Sequence, residues 1–149
     1  MTPPPRFFLD RSLGARSIAN GLRAGGLIVQ TIEDRYGREL AEQTPDPTWI
    51  QDAAQDGYVL LHADKKIRRR TIERDALVTN NARSFAMSSN QLGGSLVVAR
   101  LLSFRERIYD VIDRRPGPFF YLVYPDKVES RPLEWDSRRR SDPADPSWG

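Results

Sequence analysis

The sequence predicts an α/β domain built around a mainly parallel sheet. Short apolar runs alternate with amphipathic segments along the chain, which is the pattern of strand–helix–strand crossovers. The first three apolar runs each give way to acids, at Leu9-Asp10, Thr31-Ile32-Glu33-Asp34 and His62-Ala63-Asp64. The length of 149 residues, 39% of them hydrophobic, allows one core and falls short of two ordinary domains.

Arg6-Phe7-Phe8-Leu9 is an apolar run of strand length ending at Asp10. Ser12-Leu13-Gly14 then turns into a helix over 15–24, with Ile18, Ala19 and Leu22 on one face and Gly25-Gly26 as its stop. A second strand follows over 27–32. The stretch from Arg35 to Pro45 is polar and reads as a loop. Asp46-Pro47 gives an N-cap followed by proline at the first helical position, so a helix runs from there to about Gln55, with Asp56-Gly57 as the turn. Tyr58-Val59-Leu60-Leu61-His62 is the third strand, and Trp49 and Tyr58 read as core. A helix over 71–78 and a strand over 84–87 come next. Apolar residues at 97, 98, 101, 102, 104, 108, 111 and 112 predict one amphipathic helix over 96–112. Phe119–Val123 is a fifth strand, pairing through Pro125-Asp126 with 127–131, and its aromatic residues suit a core or an interface between copies. The domain is expected to span 1–133. The remaining 134–149, with Arg138, Arg139 and Arg140, reads as a charged, disordered tail.

Composition removes whole classes of chemistry. The chain has no cysteine, so disulfides, thiolate metal sites and a cysteine nucleophile are excluded. His62 is the only histidine, which excludes multi-histidine metal sites within one chain and makes His-dependent triads a poor fit. It reads as a strand side chain rather than a general base. No Walker loop and no G-x-G-x-x-G is present. The N-terminal apolar run is too short for a signal peptide, and no run reaches the roughly 20 residues of a spanning helix. A cytoplasmic location without membrane contact is the expectation.

What remains is carboxylate chemistry beside a basic strip. In open α/β sheets, ligands bind beyond the carboxyl ends of the strands, at a topological switch point. If the first strand lies between the second and third, Asp10, Asp34 and Asp64 converge there, with Asp46 entering from a helix start. Acids after strands also serve as turn and cap residues, and capping alone would account for Asp46; repetition over three strands favours a shared site. Close carboxylates repel unless a cation sits among them, and oxygen ligands suit Mg²⁺ or Mn²⁺. Such ions can activate water and stabilise a leaving oxygen in phosphodiester hydrolysis. Immediately after Asp64, residues 65–74 hold six basic residues and one acid, a local +5 that exceeds the +3 of the whole chain. Lys65, Lys66, Arg68 and Arg69 are therefore candidate contacts to a nucleic-acid backbone, although a solvated charge run is the plainer reading.

The segments Phe7-Phe8-Leu9-Asp10-Arg11-Ser12-Leu13-Gly14, Leu22-Arg23-Ala24-Gly25-Gly26, Asp46-Pro47-Thr48-Trp49-Ile50 and Gly57 to Arg68, in this order, resemble the PIN-like domain group, in its small branch related to VapC toxins of toxin–antitoxin modules. The resemblance covers about 6–124 and is strongest over 6–78. It implies a compact three-layer α/β/α domain and an endoribonuclease dependent on Mg²⁺ or Mn²⁺. Asp10, Asp46 and Asp64 match the family's acids by position. Asp34, or Glu33 in its place, matches the acid after the second strand, and the extra charges at Arg35, Arg38, Glu39 and Glu42 blur that register. In this reading the acids hold one or two ions, Ser12 helps orient the water, and the basic strip holds RNA. A cognate antitoxin and a homodimer are implied partners. The alternatives are a non-catalytic nucleic-acid or protein-binding module on the same fold, and a phosphomonoesterase sharing the metal chemistry.

Overall fold

The computed structural model describes residues 3–13, 15–63 and 65–133. Five parallel strands and one antiparallel strand form a single sheet in the order β2-β1-β3-β4-β5-β6. These are β1 (Arg6–Leu9), β2 (Ile28–Thr31), β3 (Val59–His62), β4 (Arg83–Met87), β5 (Phe119–Val123) and β6 (Val128–Arg131). The helices are α1 (Arg16–Ala24), α2 (Ile32–Gln43), α3 (Asp46–Gln55), α4 (Thr71–Thr79), α5 (Gly94–Ser103) and α6 (Arg105–Arg114). β1 lies between β2 and β3, which is the condition under which the sequence reading brought the strand-end acids together. The chain leaves β1 toward β2 on one side and returns to β3 on the other, so the switch point sits at the carboxyl end of β1.

Strand alternation builds two cores, one on each face of the sheet. Phe7, Leu9, Val59, Leu61, Phe85 and Met87 meet Ile18, Leu22, Val97, Leu101, Ile108 and Val111 of α1, α5 and α6. On the other face Phe8, Leu60, Ala86, Phe120 and Leu122 meet Ile32, Trp49, Ile50, Ala53 and Leu77 of α2, α3 and α4. The result is three layers. β5 is buried along its whole length between β4 and β6, so its aromatic residues are core.

Three local expectations need correction. The polar stretch 35–45 is largely helical, because Thr31 and Asp34 form a capping box that starts α2 at Ile32. Inside α2 the backbone kinks at Gly37, whose φ of 81° is a conformation that favours glycine. Asp46 is the first helical residue of α3 and Pro45 its N-cap, one position earlier than expected. The helix expected over 96–112 is two, broken at Phe104, where the Ser103 hydroxyl donates to the Arg100 carbonyl and Arg105 reaches across to the Gly25 carbonyl. The tail 134–149 lies outside the described residues. Among the described residues, no helix is long and apolar enough to cross a membrane.

Candidate active site

Register places the first pair of functional side chains. Phe8 pairs with Leu60 and Leu9 with Leu61, and the Asp10 N–H continues the ladder to the Leu61 carbonyl at 2.9 Å. Asp10 therefore stands beside His62, and both share the face of Phe8 and Leu60. His62 Nδ1 lies 2.8 Å from Asp10 Oδ2. A carboxylate only accepts, so Nδ1 carries the proton in this bond. The His62 side chain is fully buried, and Asp10 is 8% exposed. Burial alone would raise the Asp10 carboxyl; the His62 bond and charge, the Ser12 N–H and Arg11 outweigh it and hold the group below its ordinary value.

Asp46 reaches the same region through α3. Its Oδ1 accepts from Trp49 Nε1 at 2.9 Å, one helical turn on. Trp49 is fully buried and stacks on Phe8, with ring centroids 5.4 Å apart. Its other neighbour is the His62 ring, at 6.0 Å, which in turn stacks on Phe120 at 5.9 Å. Asp10 and Asp46 are thus joined through two contacting rings beneath the carboxyl edge of the sheet. Sequence reasoning read His62 and Trp49 as strand and core residues and missed their bonds to the two acids. The signal was present in the equal spacing of Phe8-x-Asp10 and Leu60-x-His62 on adjacent strands, and in the three-residue step from Asp46 to Trp49.

Asp34 does different work. Its Oδ2 accepts from the Thr31 N–H at 2.9 Å and from Arg23 Nη2 at 2.7 Å, while its own N–H donates to the Thr31 hydroxyl. These partners outweigh the upward pull of burial and hold the carboxyl below its ordinary value. Glu33, the alternative at this point, lies 3.8 Å from Arg38 Nε and faces a small cleft beside Arg11. Arg11 itself donates to the Ala41 and Thr44 carbonyls at 2.6 Å each, so a cation closes the C-terminal end of α2.

Asp64 lies outside the described residues. Next to it, the Ala63 N–H donates to Ser12 Oγ at 3.2 Å, and the Ser12 N–H donates to Asp10 Oδ1, also at 3.2 Å. Ser12 thereby links the segment after β1 to the end of β3. The basic run begins as a 3-10 turn, Lys65–Arg69. It is not uniformly exposed: Arg68, expected on a nucleic-acid backbone, is 6% exposed and donates to the Pro132 carbonyl. Lys66 is exposed, and Lys65 and Arg69 are half-buried.

A divalent ion of the Mg²⁺ or Mn²⁺ class needs hard oxygen donors with lone pairs to spare. Asp10 Oδ1 has only the long bond from Ser12, and Asp46 uses Oδ1 alone among the described residues. Each acid can therefore offer an oxygen. Among the described residues, however, no group of three or more acidic or histidine side chains stands together. The cluster expected to include Asp10, Asp34 and Asp46 is not formed by those three, because Arg23 and the α2 cap hold Asp34. Chemically, Asp10 and Asp46 fit such an ion as part of its ligand set.

Comparison with known proteins agrees with this architecture. The family model described as PIN like domain matches residues 5–89. A protein of Mycobacterium tuberculosis (strain ATCC 25618 / H37Rv) named "Putative ribonuclease VapC45" is 35% identical over 121 residues, covering 81% of this chain and 87% of that protein. No solved structure matches the chain.

Proposed function

The chain belongs to the PIN-like domain family, and from that premise we propose that it is a metal-dependent endoribonuclease, the toxin of a toxin–antitoxin module. The observation that carries the reading is the buried Asp10 carboxyl, 2.8 Å from His62 Nδ1 at the switch point of a parallel sheet. The 35% identity to a relative whose name says ribonuclease supports it.

In this proposal Asp10, Asp46 and Asp64 hold Mg²⁺ or Mn²⁺. Asp34 keeps the structural role of capping α2. Bound there, the ion supplies a nucleophile at neutral pH and stabilises charge on the reacting phosphate. The chain's own residues do the rest. His62 and the Ser12 N–H fix the two oxygens of Asp10. The Ser12 hydroxyl, which accepts from the Ala63 N–H at the end of β3, helps orient the attacking water. Lys65, Lys66 and Arg69 bind the RNA backbone, and Arg68 anchors their segment to the residues after β6. The proposed partners are RNA and a cognate antitoxin, in the cytoplasm.

The test is cleavage of a structured RNA with added Mn²⁺, comparing the natural chain with Asp10→Asn and Asp64→Asn. Cleavage by the natural chain, abolished by EDTA and lost in both variants, is the expected result. Equal activity in all three, or none in any, overturns the catalytic reading. Salt-sensitive RNA binding without cleavage would instead identify a non-catalytic binding module.

A further inference from the structure

We propose that His62 and Trp49 are the positioning residues of this site, each fixing one oxygen of a metal-binding carboxylate through a single ring N–H. The inference rests on the reading of Asp10 and Asp46 as ligands. Neither ring is reachable from solvent, both being fully buried. Neither can therefore touch RNA. Each has one polar bond to an acid, His62 Nδ1 to Asp10 Oδ2 at 2.8 Å and Trp49 Nε1 to Asp46 Oδ1 at 2.9 Å.

His62 is the more telling of the two. Among the described residues its Nε2 is buried without a hydrogen-bond partner, which is unfavourable for a polar nitrogen removed from water. Phenylalanine would fill the slot against Phe120 and Trp49 without that cost. What the imidazole adds is the Nδ1 donor, aimed at Asp10. Trp49 presents the same arrangement, an apolar ring packed on Phe8 with a single N–H directed at Asp46. Because the two rings also touch each other, at 6.0 Å between centroids, the orientation of one carboxylate is coupled to that of the other. Groups that orient metal ligands from outside the first layer typically change affinity by about 10–100-fold when removed.

The experiment uses the full chain, with Mn²⁺ alone as the probe and no RNA. Mn²⁺ dissociation constants are measured for the natural chain, Asp10→Asn, His62→Phe, His62→Asn and Trp49→Phe, with circular dichroism to verify the fold. The ¹³C carboxyl signals of Asp10 and Asp46 are recorded without metal. His62→Phe is expected to weaken Mn²⁺ binding about 10–100-fold and to move the Asp10 signal. His62→Asn, which keeps an N–H donor at the Nδ1 position, should recover most of that affinity. Trp49→Phe should move the Asp46 signal and weaken binding in the same direction.

Folded His62→Phe and Trp49→Phe proteins that bind Mn²⁺ like the natural chain, while Asp10→Asn does not, overturn the positioning role and leave the ligand reading standing. Unchanged binding in Asp10→Asn overturns the ligand reading, and the positioning role with it. Should the ring variants fail to fold, the natural chain still gives an answer, because His62 is its only histidine. With ¹⁵N-histidine, Nδ1 must carry a slowly exchanging proton and Nε2 must not accept a hydrogen bond. An unprotonated or rapidly exchanging Nδ1 overturns the proposal.

Discussion

Asp10 and Asp34 begin as equals in the sequence, each an acid close behind one of the two neighbouring strands β1 and β2. The fold separates them. Asp10 continues the strand direction, turns onto the sheet face and meets a buried histidine from β3. Asp34 falls in the first turn of α2, where it closes a capping box and pairs with the half-exposed Arg23. Both carboxyls are held below their ordinary range, yet for different reasons. At Asp10 a single buried donor dominates; at Asp34 backbone and side-chain donors do what they do at many helix starts. A depressed carboxyl beyond a strand is therefore not in itself a metal ligand. The two acids differ in which partners depress them, a buried ring N–H at Asp10 and a helix cap with Arg23 at Asp34.

The largest separation between the two acids should come from metal binding measured by melting. At about a hundredfold excess over its dissociation constant, Mn²⁺ bound only to the folded chain stabilises it by about 2.7 kcal/mol. The natural chain and Asp34→Asn should both show that upward shift, and Asp10→Asn should show none. A shift lost in Asp34→Asn but retained in Asp10→Asn would reverse their roles.

The capping side of the comparison is tested by Thr31→Ala, which removes the hydroxyl that accepts from the Asp34 N–H. The expected cost is about 1 kcal/mol, seen in denaturant unfolding, with Mn²⁺ affinity unchanged. No loss of stability would mean that the box contributes nothing to α2. The smallest effect concerns Glu129, a half-exposed acid on β6 that caps no helix. Arg131 first, then Lys127, lower its carboxyl to about 2. Its favourable pairing is thus present above the ordinary value of 4.5 and disappears as pH falls through about 2. Arg131→Ala should return the NMR titration midpoint toward 4.5; an unmoved midpoint would mean that Arg131 is not the cause.

Much of this arrangement was legible from residues alone. Alternating apolar runs gave the strands, whereas β1 between β2 and β3 was only the condition under which their acids would converge. Asp46-x-x-Trp49 was visible as a pattern, although its hydrogen bond was not. The errors have physical causes. α2 is polar on most of its surface and is interrupted at Gly37, so hydrophobic periodicity was weak there, while Thr31-x-x-Asp34 already spelled a helix start. The capping role of Asp34 was passed over, because an acid behind a strand was taken for a rim residue alone. Arg68 was read as a contact to RNA because charge counts say nothing about which member of a 3-10 turn points inward. His62 was discounted as a lone histidine; only strand register brings it to Asp10.

In the proposed function Asp10, and not Asp34, belongs to the reacting centre. Cleavage of one structured RNA in Mn²⁺ by the natural chain, Asp10→Asn and Asp34→Asn, assayed below the melting temperature of each, tests it most directly. A fall of about 100- to 1,000-fold is expected for Asp10→Asn, the scale of losing one stabilising group at a reacting centre. For Asp34→Asn the expected result is near-natural cleavage with a lowered melting temperature. Full activity in folded Asp10→Asn, or loss confined to folded Asp34→Asn, would contradict that assignment.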